Sequence, residues 1–300
     1  MGIRGNMTAT LPGEPETFSF FGHPLNKTLL RPETKQTQVK LYNEALEEYE
    51  KDPDNADNII WMGRRTAYIG NFREAIAIFS MGIEKHPDDP RMYRHRGHRF
   101  ITLRYLDRAV NDFEKAVELI RGKEDEIEPD GMPNDRGVPV SSLHFNIWYH
   151  LGLSYYCLGE MNKALHAYEK CWEASEIDDK YISTGHWYYM TLRRLGRDAM
   201  AERLLEFFDR DMDIIENQHY HNCMLMYRGE MTEEELMGKA RELGALGLVT
   251  IGYGVANWYN YNGEKDKAIS IYREILALEG WGGFGYIAAE ADMYHLGIRP

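Results

Sequence analysis

The chain has 300 residues, 43% hydrophobic and 12% aromatic, which is enough apolar surface for a large core and too much for general disorder. Its formal net charge of −13 argues against nucleic acid as a partner, because a phosphate backbone is held by a dense field of Lys and Arg. Three cysteines (Cys157, Cys171 and Cys223) without CxxC spacing indicate neither a disulfide framework nor a zinc ribbon and fit a reducing, cytoplasmic setting.

In chain order, residues 1–31 read as an extended segment. Its start, MGIRGNMTATLPGEPETFSFF, lacks the uninterrupted apolar stretch of an export signal. No stretch elsewhere approaches the roughly 18 apolar residues of a membrane span, so no membrane partner is expected. Residues 32–52 read as a capping helix, with Leu41, Ala45 and Tyr49 on one face and Pro53 as its stop. A repeating pattern follows. Gly63 and Gly97 stand 34 residues apart, and Gly152 and Ala256 recur at the matching small position. A second small position reads Ala75, Ala109, Ala164, Ala201 and Ala268, and Phe79, Phe113, Tyr168 and Tyr272 follow four of these by one helical turn. Gly70, Gly159, Gly196, Gly229 and Gly263 mark the turns between helices.

These marks place two helix pairs in 56–121 (56–89 and 90–121) and four in 145–280 (145–178, 182–211, 215–247 and 249–280). Between the two sets, 122–144 is an inserted loop, acidic and then rich in Pro and Gly; such a loop is commonly functional or disordered, here a candidate lid. The fifth pair departs most from the pattern, with Glu234 at the small position and Gly238 at the aromatic one, although Thr232 and Glu235 form a capping box. Residues 281–300 read as a C-terminal capping helix, and the glycines of WGGFGY as the turn that starts it, since no strand precedes them as in a phosphate loop. The whole is expected to be one continuous domain.

One segment carries a complete signature. Trp148 to Tyr155, WYHLGLSY, has the W-x2-L-G-x2-Y pattern, and Gly159, Ala164, Tyr168 and Cys171 continue it into the next helix. This resembles the tetratricopeptide repeat. The resemblance implies an all-α fold, a right-handed α-solenoid of about six such helix-turn-helix units with a capping helix at each end. It also implies that the first helix of each pair (helix A) lines a concave, ligand-holding face.

Carried onto the A helices, the groove positions of the family include Arg64, Arg94, His98, Tyr149, Tyr156, His186, Arg193, His219, Tyr253 and Asn257, with Arg194, Tyr227 and Tyr261 beside them. Arg, His and Tyr thus gather on one face of an acidic chain. Guanidinium forks and rigid phenol rings suit a carboxylate or phosphate ligand, so the expected partner is an acidic peptide or protein, or a small anionic molecule. The alternative reading is helix packing and ion pairing. The family's carboxylate clamp uses Lys and Asn across three consecutive units; Arg64 stands where its asparagine is expected and the inserted loop interrupts the run, so clamp-type binding is doubtful.

An enzyme or small-ligand receptor with a closed pocket is the second reading, with His98, His186, His219 and Glu290 as candidate acid and base groups. No nucleophile elbow, P-loop or dinucleotide fingerprint supports catalysis. His95 and His98 with His219 or His221, Asp211 and Glu216 can be drawn as a metal site, but the spacing matches no zinc signature, and no metal or cofactor is assigned.

Overall fold

The structure, a computed structural model, describes residues 14–27 and 30–300; the remainder of the predicted extended segment, 1–13 and 28–29, lies outside the described residues. The fold is of the α-solenoid class, with six helix pairs among the described residues. Contacts divide the chain into two compact lobes, Met1–Lys123 and Glu124–Pro300.

In the N-terminal lobe a small antiparallel hairpin, β1 (Thr17–Phe18) with β2 (Pro24–Leu25), precedes α1 (Pro32–Lys51). Two pairs follow: α2 (Ala56–Tyr68) with α3 (Phe72–Lys85), and α4 (Pro90–Thr102) with α5 (Leu106–Ile120). Local chemistry sets the helix starts. The Asn55 side chain accepts from the backbone N–H groups of Asp57 (2.9 Å) and Asn58 (3.2 Å), and Asp89 accepts from Arg91 N–H (2.9 Å) ahead of Pro90. The small position of helix A is a steric requirement. A Cβ at Gly63 would lie 2.5 Å from the Phe79 ring, and one at Gly97 2.9 Å from the Phe113 ring. The second pair turns through Arg104, whose φ of +67° takes the left-handed conformation that glycine supplies elsewhere.

The C-terminal lobe holds the inserted segment and four pairs: α6 (Leu143–Cys157) with α7 (Met161–Glu173), α8 (Asp178–Arg194) with α9 (Asp198–Leu205), α10 (Gln218–Tyr227) with α11 (Glu233–Glu242), and a last pair ending in α14 (Lys265–Leu276). The first helix of that last pair is continuous through α12 (Ala245–Gly247), a π-helical turn (Leu248–Gly252) and α13 (Tyr253–Tyr261). Gly152 faces Tyr168, and Gly185 faces Phe208, which comes from just beyond the short α9. In α11 the helix is turned relative to its counterparts. Leu236, Met237 and Ala240 are buried, while Glu234 and Gly238 face outward, and nothing lies within 4 Å of a Cβ built on Gly238.

The inserted loop folds onto its own lobe. Asp125 accepts from the Ser142 hydroxyl (2.6 Å) and His144 N–H (2.8 Å) at the start of α6, Arg136 forks onto Asp213 (2.6 and 3.0 Å), and Asn134 donates to Glu216 (2.8 Å). The final helix, α15 (Phe284–His295), packs on α14 and also reaches back to α6, the first helix of the lobe. Glycines make this approach possible: a Cβ at Gly285 would fall 1.7 Å from the Val249 carbonyl oxygen in the π-turn, and one at Gly283 2.6 Å from the Val249 side chain.

Candidate functional site

The predicted site residues fall into two groups, one in each lobe. In the N-terminal lobe α2 and α4 lie side by side and carry Arg64, Arg94 and His98. Arg64 is buried, with its guanidinium 4.3 Å over the Trp61 ring and Nη2 donating to the Tyr68 hydroxyl at 3.4 Å. Arg94, also buried, donates from Nη1 to Nδ1 of His95 (3.2 Å) and of His98 (3.4 Å). An imidazole that accepts at Nδ1 is neutral with its proton on Nε2; the His95 ring is buried and stacked on Phe79 of α3 at 5.5 Å. Arg99, half-buried on the same helix, completes the group. Its guanidinium is pushed down to about 10, first by burial, opposed by the Tyr68 phenol, and further by the like charges of Arg94 and Arg64. It is still charged at neutral pH. Arg96, from the same basic segment, belongs elsewhere: it forks onto buried Asp112 (2.8 and 2.7 Å) and donates to Ser80 (3.0 Å), tying α4 to α5 and α3.

The seven predicted residues of the C-terminal lobe lie for the most part in its interior. Tyr156, His186, Tyr253 and Asn257 are each at most 1% exposed, and Tyr149 is also buried. Tyr156, Tyr253 and Asn257 surround an ion pair that sequence reasoning did not find, Arg194 on α8 with Asp292 on α15. Arg194 Nη1 donates to Asp292 Oδ1 at 2.7 Å, Nη2 donates to Oδ2, and Nε donates to Asn257 Oδ1 at 2.9 Å. The Tyr272 hydroxyl donates to Asp292 at 3.0 Å, the Tyr253 hydroxyl lies 3.0 Å from the same oxygen, and Asn257 donates to the Tyr156 hydroxyl at 2.9 Å. Burial raises all three phenols, and the Asp292 carboxylate raises them further. One signal in the sequence pointed here: the two carboxylates, Glu290 and Asp292, in the mostly apolar FGYIAAEADMYH must find polar or cationic partners when that helix is buried.

His186 stands in an aromatic column, stacked on Tyr220 (4.7 Å) and Tyr227 (5.9 Å), with Tyr227 stacked on Tyr189 (4.4 Å). The Tyr227 hydroxyl and His186 Nδ1 share a hydrogen bond of 3.3 Å, and Nε2 is enclosed without one. Burial pushes this imidazole down to about 3. The packing is close. A Cβ at Gly254 would lie 2.9 Å from the His186 ring and 3.0 Å from both Cys223 Sγ and the Tyr227 hydroxyl. Arg193 is satisfied locally by the Tyr189 hydroxyl (3.0 Å), Asn262 (2.8 Å) and Asp198 (2.8 Å). His219 is half-buried with Nδ1 enclosed and not hydrogen-bonded, and Glu290 is buried within α15. Among the described residues no three His, Cys, Asp or Glu side chains gather as metal ligands would, and no helix is long and apolar enough to cross a membrane.

Paired helices that pack a glycine of one against an aromatic ring of the next define a helical-repeat protein. The tetratricopeptide-repeat family matches residues 145–178, the α6 and α7 pair, so the chain carries a tetratricopeptide repeat there. No curated protein matches the sequence. Among solved structures, a tetratricopeptide repeat protein from Parabacteroides merdae is 15% identical with a TM-score of 0.47, over 85% of this chain and 93% of its own. YrrB, described as a TPR protein with an unusual peptide-binding site, is 15% identical with a TM-score of 0.43, over 83% and 97%. PilW, a type IV pilus biogenesis factor, is 13% identical with a TM-score of 0.45, over 81% and 91%.

Proposed function

We propose that this chain is a binding protein that holds an anionic ligand, a carboxylate-bearing peptide segment of a partner protein, on the A helices of its N-terminal lobe. Arg64, Arg94 and Arg99 are the cations that engage it, with His98 beside them. One observation carries this reading. Three guanidiniums sit close enough for two to depress the third, in a protein with a net charge of −13. Like charges brought together cost free energy, and a bound anion relieves that cost.

His98 belongs to this site. Tyr149, Tyr156, His186, Arg193, Tyr253 and Asn257 do not, because their polar atoms and rings are taken up by the packing of the C-terminal lobe. An acid and base role for His186 has no support, since a group at about 3 binds no proton near neutrality. We place the protein in the cytoplasm, where its three buried cysteines keep free thiols.

Binding of a fluorescein-labelled pentaglutamate peptide to the full chain, followed by anisotropy, tests the proposal. Losing one charge-assisted contact is expected to weaken binding by about 10-fold or more in Arg64→Met and in Arg94→Met. Arg228→Met, in the other lobe, should leave it unchanged. No effect of the first two substitutions, or an equal loss in Arg228→Met, overturns the reading.

A further inference from the structure

The turned register of α11 leaves a groove of about 260 Å³ between α11 and the last helix pair. That is below the roughly 300–1,000 Å³ of sites for drug-sized molecules, and suits a single long side chain. Its floor is apolar: Met237 from α11, Tyr259 from α13 and Ile271 from α14, all buried. Its rim carries Glu233, Glu234 and Lys267. Glu235 is committed to the capping box with Thr232, accepting from its backbone N–H at 2.9 Å, which leaves Glu233 and Glu234 to face the groove.

The cations at this rim are already paired. Arg241 forks onto Glu274 at 3.0 and 3.1 Å, and Lys267 pairs with Glu264 one helical turn away. The charge left over is that of Glu233 and Glu234, so the groove is complementary to a cation. The structure also shows how a cation sits there. The Lys267 ammonium lies 4.7 Å from the centroid of the Tyr259 ring, over its negative face, within the field of Glu234.

We infer that this groove is a second binding site, which takes a lysine or arginine side chain from a basic segment of a partner protein, and that Lys267 occupies the aromatic face when the partner is absent. The incoming cation displaces the Lys267 ammonium from the Tyr259 ring and pairs with Glu233 and Glu234. This site is independent of the anion site on the A helices. In this repeat unit Glu234 stands outside, where the other units bury an alanine.

Fluorescein-labelled pentalysine binding to the full chain at physiological ionic strength tests it. Removing the tethered competitor in Lys267→Ala should tighten binding by about 2- to 5-fold, the worth of one exposed cation and ring contact. The Glu233→Gln, Glu234→Gln double variant should weaken it by about 5-fold or more through lost ion pairing. Glu47→Gln with Glu50→Gln makes the same change in net charge on α1, far along the chain, and should shift binding less than 2-fold. Weaker or unchanged binding in Lys267→Ala, or equal losses in the two double variants, would overturn the inference. All three variants change exposed or half-buried polar groups, so folding is not at issue.

Discussion

The two lobes treat charge on their A helices in opposite ways. In the N-terminal lobe Arg64, Arg94 and Arg99 lie together, and Arg99 is pushed down to about 10, first by burial and then by the like charges of Arg94 and Arg64. In the C-terminal lobe Arg194 is half-buried against Asp292; burial lowers its guanidinium, but that carboxylate, with Tyr156 and Tyr253, holds it well above its ordinary value. In the first arrangement like charges stand beside one another; in the second a carboxylate of the chain faces the guanidinium directly. A repeat scaffold thus offers equivalent positions for either use.

The largest expected effect breaks the C-terminal arrangement. Asp292→Ala strands the Arg194 guanidinium and should cost about 3–5 kcal/mol in denaturant unfolding, whereas Arg194→Met with Asp292→Leu should recover most of that loss. An equal loss in the double variant would mean that α15 is held by something other than the pair. Next comes the helix crossing that the lobes have in common: Gly152→Leu must displace the Tyr168 ring, 2.7 Å from a Cβ at that position, at a cost of roughly 1–3 kcal/mol.

His186 gives a comparable effect that depends on pH. Its folded value of about 3 lies below the ordinary value of 6.5, so the unfolded chain binds the proton more readily and stability is lost as pH falls below about 6.5. From pH 7 to pH 5 this group alone should remove about 2 kcal/mol, a loss that disappears in His186→Phe when both proteins are melted across the same range. Smallest is Arg99→Met. Removing one of three like charges should leave thermal stability within about 0.5 kcal/mol of the parent or raise it slightly, in contrast to the loss from Asp292→Ala. A large loss would show that Arg99 has a structural partner and would sink the contrast between lobes.

Much of the fold was legible because its marks are local. The spacing of Gly63 to Phe79, Gly97 to Phe113 and Gly152 to Tyr168 is fixed by one helix hairpin, and the structure brings each pair into contact. Where a repeat departs from that spacing, the reading weakened. Gly185 meets Phe208 beyond the end of a short helix, and Arg104 holds a turn that glycine holds in other units. The candidate site was half legible for the same reason. Arg94 and His98 are one turn apart on a single helix, so their meeting follows from sequence. Asp292 lies 98 residues from Arg194, and no local pattern announces a partner at that distance. Without that helix in place, Tyr156, Tyr253 and Asn257 look like open groove positions.

The return of α15 to α6 also bears on how this protein can change in size. An open array of repeats grows or shrinks by whole units, since each contacts only its neighbours. The C-terminal lobe is measured to four pairs, because its last helix must reach its first and set Asp292 beside Arg194. Duplicating or deleting a pair there would carry the two ends apart or drive them together. Such a change has to come with a new last helix.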